Sequence, residues 1–209
     1  VELPPLVVTA TRLPEQTVAV ESVPAHVTVL TRETIAQSPA ITLTELLRQQ
    51  AGITMLDSVG YGSGGPNASF TMRGFGEKSG ALILVDGVRV NDAGTGFFLW
   101  NSVPLAAIER VEIIRGGAST TYGEGAAAGV INIITKQAAN QPLAGSVSGS
   151  VGNHGYYQGS FALSGRTNAF GYVLTGSRNE WAGWRDGANF RGWNLLAKPS
   201  VETPAGRFT

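Results

Sequence analysis

Three regimes of apolar and polar spacing divide the chain. Residues 1–24 set Val and Thr between Pro4, Pro5, Pro14 and Pro24. Proline lacks the amide a helix needs, and no turn signal pairs this arm with a neighbour, so it is predicted to be extended. Within it, Leu6, Val7, Val8, Thr9 and Ala10 form a strand-prone run that reads either as a frayed terminus or as an edge for strand addition by a partner.

From Ala25 the spacing tightens into short runs. Ala25 to Leu30 alternates as a strand does, and Thr31 to Gln37 suits a short helix capped by Thr31. Thr42-Leu43-Thr44-Glu45 is a capping box, with Leu43, Leu46 and Leu47 as the apolar stripe and Gly52 as the stop. Ile53 to Leu56 reads as a strand, Asp57 to Ala68 as a Gly-rich polar loop, and Ser69 to Phe75 as a return to the sheet. Asp86-Gly87 is a hairpin signal between Ala81–Val85 and Val88–Val90. Leu105, Ile108 and Val111 lie three apart behind Pro104, which predicts a helix over Pro104 to Arg110. Val111 to Ile114 and Gly129 to Ile134 read as two further strands. The second is so apolar that it is expected to be buried on both faces. Together, Ser69 to Lys136 is predicted to form one compact sheet.

After Gln137 the period becomes two. Leu143 to Val151 places Leu, Gly and Val on odd positions and Ala and Ser on even ones. Tyr157, Phe161 and Leu163 continue the pattern, as do Phe170, Tyr172 and Leu174, and then Trp193, Leu195, Ala197 and Val201. The predicted connections are 152–155, Gly165 to Asn168, and the longer Arg178 to Asn189. Alternating segments of about ten residues match a transmembrane β-barrel; a soluble β-sandwich gives the same alternation.

Composition narrows the function more than the fold. Charged residues are 14% of the chain and the formal net charge is zero, which leaves little for electrostatic capture of nucleic acid or of an anionic membrane. There is no Cys and only two His, His26 and His154, so thiol chemistry and a His/Cys metal site have no basis. Gly123-Glu124-Gly125 is not a phosphate loop, because no Lys-Ser/Thr follows and the segment leads into a strand. No catalytic residues, no metal and no resident cofactor are assigned. Apolar runs are too short for a membrane-spanning helix, and VELPPLVV lacks the build of a signal peptide.

LVVTATR near the start, then TMRGF, ILVDGVRVN and VEIIRGGASTTYGEGAAAGVINIITK, resemble the plug domain of TonB-dependent outer-membrane receptors, in the family's order, over roughly residues 5 to 136. One departure is Gly117, where the family usually has Pro. The resemblance implies an α+β plug domain (a small mixed sheet with short helices) at 25–138. It implies an arm at 1–24, and at 139–209 the first antiparallel strands of a transmembrane β-barrel. A lumen wide enough for such a plug needs about 22 strands, so the chain is expected to be the N-terminal part of a longer receptor.

The implied function is active uptake of a scarce nutrient, cobalamin or a ferric siderophore or haem chelate, across the outer membrane of a Gram-negative bacterium. Leu6 to Ala10 would be the TonB box, taken up as an added strand by periplasmic TonB. Tyr61, Asn67, Asp92, Phe97 and Trp100, on apical loops, would touch the extracellular chelate or corrinoid. For Phe97 to Trp100 the alternative is packing on the plug's own sheet. Arg73, Glu109, Glu112 and Arg115 would make plug–barrel contacts, and the barrel's outer face would meet membrane lipid. Arg166 on a periplasmic turn, and Trp181 and Trp184 in the longer loop, would sit at the membrane interfaces. Two other readings stand beside it: an adhesion or structural barrel, and a soluble periplasmic plug-like binding module.

Overall fold

The computed structural model describes residues 7–9, 17–19, 25–57, 68–76, 80–92, 94–183, 186–187, 189–203 and 206–209. In the arm, β1 (Val7–Thr9) pairs antiparallel with β2 (Thr17–Ala19), and no other strand joins them among the described residues. Both described stretches of the arm are extended, as expected, but they pair with each other; among the described residues one edge of β1 is taken by β2 and no strand lies on the other.

β3 (His26–Leu30) is followed by α1 (Arg32–Gln37), whose first turn is capped by Thr31, as expected. α2 (Leu43–Arg48) is capped by the Thr42 side chain, which accepts from the Glu45 amide at 3.3 Å. The box differs in one detail. Glu45 reaches back to the amide of Ile41 (2.8 Å), one residue earlier than the usual partner. The helix stops at Arg48; Gly52, at φ 76°, makes the turn into β4 (Ile53–Asp57). Leu43, Leu46 and Leu47 are all buried.

Ser69 to Lys136 is split between two sheets. β5 (Ala68–Met72) turns at Arg73-Gly74, both at positive φ, into β6 (Phe75–Gly76), and pairs on its other side with β4. That three-stranded sheet is separate from the one built by β7 (Ala81–Val85), β8 (Val88–Arg89), β9 (Ile108–Arg115) and β10 (Gly129–Thr135). The second has the order β3-β9-β10-β7-β8 and is mixed, with β10 parallel to β7 and antiparallel to β9. The predicted Asp86-Gly87 hairpin joins β7 to β8.

The helix predicted over Pro104 to Arg110 is reduced to one 3-10 turn, Leu105–Ala107, and Ile108 already opens β9. Ile108, Val111, Ile113 and Ile114 are β-branched and buried in a strand paired on both sides, with β3 and β10. Ladder bonds and burial on both faces outweigh a three-residue spacing.

β10 is buried on both faces, as its run of apolar residues predicts. Ile131 and Ile133 join Leu46, Phe70, Met72 and Trp100 in the main core, while Val130 packs with Leu82, Ile114 and Tyr122 on the other side. Tyr122 ends the short helix α3 (Ser119–Tyr122). Each such aliphatic side chain contributes about 1.5–3 kcal/mol by leaving water. At the head of β10, Gly129 sits at φ 152°, where a Cβ would collide with the Ile114 carbonyl and the Met72 sulfur.

The last part is a five-stranded antiparallel wall: β11 (Ala144–Gly152), β12 (Tyr156–Thr167), β13 (Phe170–Trp181), β14 (Phe190–Thr203) and β15 (Gly206–Phe208). The strands run further into the predicted connections than the spacing indicates. Thr167 pairs with Phe170, so Asn168 and Ala169 alone make that turn, and Trp181 ends β13 instead of lying in the loop. Trp181 is buried; Trp184 lies outside the described residues.

The wall's polarity is inverted relative to a soluble sheet. Val147, Val151 and Trp193 are 85%, 89% and 77% exposed, whereas Ser160, Thr175, Ser177, Asn179 and Ser200 on the opposite face are buried. That inner face meets the plug through the 105–107 turn and the 100–102 turn. The apolar face is left exposed among the described residues. Among the described residues no helix is long and apolar enough to cross a membrane.

Candidate functional site

Two polar clusters and one loop hold the described residues singled out from the sequence, and a third cluster joins them. In the first cluster, Glu112 is fully buried in β9. Its Oε1 accepts from Arg110 Nε at 2.8 Å, and its Oε2 accepts from Asn132 Nδ2, its cross-strand neighbour, at 3.1 Å. Glu112 thus sits buried in the sheet, bonded to Arg110 and Asn132. Glu109 lies 3.9 Å from Arg32 at the plug surface.

The second cluster is cationic. Arg115 is buried at the end of β9; its Nε donates to the Ala51 carbonyl (2.9 Å) and its Nη1 to Thr28 Oγ1 (2.6 Å), with His26 Nδ1 at 3.2 Å. Arg73, in the exposed β5–β6 turn, brings its guanidinium beside Gly116. Burial, and then the neighbouring Arg73 charge, lower the pKa of Arg115. Among the described residues no carboxylate forms an ion pair with either arginine. Two adjacent cations, one of them buried, are a strong electrostatic demand for an acidic partner.

The third cluster joins plug to wall. Asp86 sits at φ 49° in the β7–β8 turn. Its Oδ1 accepts from the Thr135 amide (2.8 Å), and its Oδ2 from Thr135 Oγ1 (2.6 Å) and from Lys198 Nζ (2.9 Å). Lys198 also donates to Thr135 Oγ1 at 2.9 Å. It comes from β14, so one ammonium ties the ends of β7 and β10 to the wall. Sequence reasoning missed this pair. The available signal was a lone Lys on an inward position of an alternating wall strand.

The loop after β8 is anchored by Asn91, whose buried side chain accepts from the Ile83 amide (2.6 Å) and donates to the Gly96 carbonyl (3.1 Å). Asp92 is exposed and caps the next turn, accepting from the Gly94 and Thr95 amides and Thr95 Oγ1 at 2.7–3.0 Å. Those bonds, the Thr95 hydroxyl first, hold its carboxyl below the usual carboxylate range. Beyond it the aromatics split by side. Phe97 and Leu99 are exposed, while Phe98 and Trp100 are buried. The Trp100 ring lies 5.0 Å from Phe98 edge-on and 5.6 Å from Phe70. Asp92 and Phe97 therefore share the loop surface, and Trp100 is a core residue beneath it. Tyr61, Asn67, Leu6 and Ala10 lie outside the described residues.

Residues 19–130, more than half the chain, match the family described as TonB-dependent Receptor Plug Domain. The chain belongs to this family of TonB-dependent receptors. It is 38% identical over 157 residues to a vitamin B12 transporter, BtuB, of Vibrio cholerae serotype O1, covering 75% of this chain and 24% of that one. The siderophore receptor PirA from Pseudomonas aeruginosa superposes with a TM-score of 0.65 at 31% identity, over 88% of this chain and 33% of that one. The pyoverdine receptor FpvA from Pseudomonas aeruginosa shares the fold alone, with a TM-score of 0.76 at 17% identity over 95% of this chain and 28% of that one. The chain thus spans about a quarter to a third of the proteins it matches. β3 to β9 and the start of β10 lie within the matched plug residues, and β11 to β15 follow them as an antiparallel sheet.

Proposed function

We propose that this chain is the plug and first wall strands of an outer-membrane receptor that takes up a scarce nutrient by TonB-dependent active transport. The observation that carries the reading is the inverted wall, apolar outward and polar inward, with a plug latched to its inner face through Asp86 and Lys198. That arrangement suits a barrel in lipid enclosing a displaceable stopper.

In this account Leu6 to Ala10 is the TonB-binding segment. TonB adds to the open edge of β1 or replaces β2 there, with main-chain hydrogen bonds as the link. Isolated two-stranded pairs are marginal in water, so exchanging β2 for a partner strand costs little. Asp92 and Phe97, with Tyr61 and Asn67, form the ligand-facing surface, and Trp100 supports it from below. Arg73 and Arg115 pair with carboxylates of the barrel, while Glu112 and Glu109 set the charge of the plug around them. The protein works by binding and displacement, with no covalent step.

For the cargo, cobalamin is the preferred class, supported by the 38% identity to a vitamin B12 transporter. A ferric siderophore is the second, supported by the superposition on a siderophore receptor. Equilibrium titration of the whole receptor with cyanocobalamin and with ferric siderophores of different chemistry distinguishes them. Saturable corrinoid binding weakened by Phe97→Ala supports the first. Binding of a ferric chelate alone supports the second, and binding of neither overturns both and leaves the haem chelate as the cargo to titrate.

A further inference from the structure

The outward face of the wall carries charge at one edge and a groove below it. By register, its residues form cross-strand rows. The row nearest loop 182–189 is Val151, Tyr157, Glu180 and Arg191; the next is Gly149, Gly159, Arg178 and Trp193. Glu180 accepts from Tyr157 Oη (2.5 Å), Arg191 Nη2 (2.9 Å) and Arg178 Nη2 (3.3 Å). Two guanidiniums on one carboxylate leave the cluster net positive. The Arg178 and Arg191 side chains are 62% and 71% exposed, so donors of each fork remain directed outward.

Beneath the charges the face is hollow. A cavity of about 450 Å³ opens over Gly159, walled by Val147, Phe161, Trp193 and Leu195, and it ends at Arg178. A Cβ on Gly159 would meet nothing within 4 Å. The groove is apolar along its length and cationic at its top.

Its depth fits a membrane. Phe170, exposed at the far end of β13, and Glu180 are about ten residues apart, roughly 33 Å along the strand and about 24 Å in height at a tilt of about 45°. The apolar band of an outer-membrane barrel is about 25 Å tall. The charged row therefore lies at headgroup level, and the groove descends from it into the hydrocarbon.

We propose that β11 to β14 form a site for one phospholipid of net-negative headgroup charge in the leaflet on the side of loop 182–189. Its phosphate sits on Arg178 and Arg191, and one acyl chain fills the groove over Gly159. A phosphate offers the several acceptor oxygens that two guanidinium forks require, and the groove supplies what a free anion does not need. The inference rests on the reading of this sheet as a membrane-facing wall.

The test uses the whole receptor in neutral detergent, titrated with dioleoylphosphatidylglycerol, dioleoylphosphatidylcholine or inorganic phosphate and read by native mass spectrometry. A receptor that stays soluble without detergent refutes the wall reading before any lipid is added. The expected result is one phosphatidylglycerol retained about tenfold more tightly than phosphatidylcholine. R178Q/R191Q removes that preference, and G159L, which fills the groove, weakens retention of both lipids about tenfold. Equal retention of the two lipids by the unmodified receptor, or a preference unchanged in R178Q/R191Q, overturns the site. Phosphatidylglycerol binding untouched by G159L, or matched by phosphate alone at equal concentration, overturns it in favour of a bare anion contact.

Discussion

Removing the Lys198 ammonium tests whether the plug is fastened where the structure places the fastening. In Lys198→Met the stem keeps its packing and the charge is lost. Asp86 then retains the Thr135 amide and hydroxyl but loses its charge-assisted bond to the wall. Such bonds contribute about 1.5–3 kcal/mol. The pair is partly shielded, with the Lys198 and Asp86 side chains 15% and 33% exposed, so solvent screening reduces the figure to about 1–2 kcal/mol. Hydrogen exchange on the whole receptor in detergent reads this locally. The Thr135 amide, bonded to Asp86, and the Asp86 amide, bonded to the Ile133 carbonyl at 2.9 Å, should exchange about 5- to 30-fold faster. Amides in the middle of β13 should be unchanged. Asp86→Asn combined with Lys198→Met should cost less than the sum of the two, because both remove the same bond. Protection within twofold of the unmodified receptor, or strictly additive effects, would refute the latch.

Three further outcomes follow from the same structure. Trp100→Ala should destabilise the plug by about 3–5 kcal/mol, because it empties a fully buried indole site between Phe70 and Phe98. Phe97→Ala, on the exposed side of the same loop, should stay within about 0.5 kcal/mol while weakening cargo binding several-fold; thermal unfolding and binding titration separate the two. The Tyr122 phenol is pushed up to about 12 by burial and then by Glu112, against 10 when unfolded. Its contribution is complete below pH 10 and is lost as pH rises towards 12, so Tyr122→Phe should flatten the fall in stability over that window in an alkaline denaturation series.

Local chemistry made much of the plug legible. Asp86-Gly87 specified its hairpin, Thr31 and Thr42 their caps, and the unbroken Gly129–Ile134 run a strand buried on both sides. What stayed hidden was long-range. The three-residue spacing of Leu105, Ile108 and Val111 fits a helix until β3 and β10 offer ladders on both sides. Nothing near Thr17–Ala19 announces that it pairs with Val7–Thr9, since no turn signal joins them. Asp86 and Lys198 are 112 residues apart, so their contact exists only once the plug is seated in the wall. The loop aromatics show the limit most clearly: composition marked Phe97 and Trp100 alike, and alternation about the loop path sends one outward and the other into the core.

The central claim, energised uptake through the β1 segment, is tested most directly by measuring accumulation of labelled cyanocobalamin in cells carrying the whole receptor with Val8→Pro or Val8→Ala. Proline removes the amide and the freedom that an added strand requires, whereas alanine keeps the backbone intact. The account predicts surface binding in all three receptors, with accumulation lost in Val8→Pro, nearly unchanged in Val8→Ala, and abolished throughout when the proton-motive force is collapsed. Full accumulation by Val8→Pro, or accumulation indifferent to the proton-motive force, would contradict it.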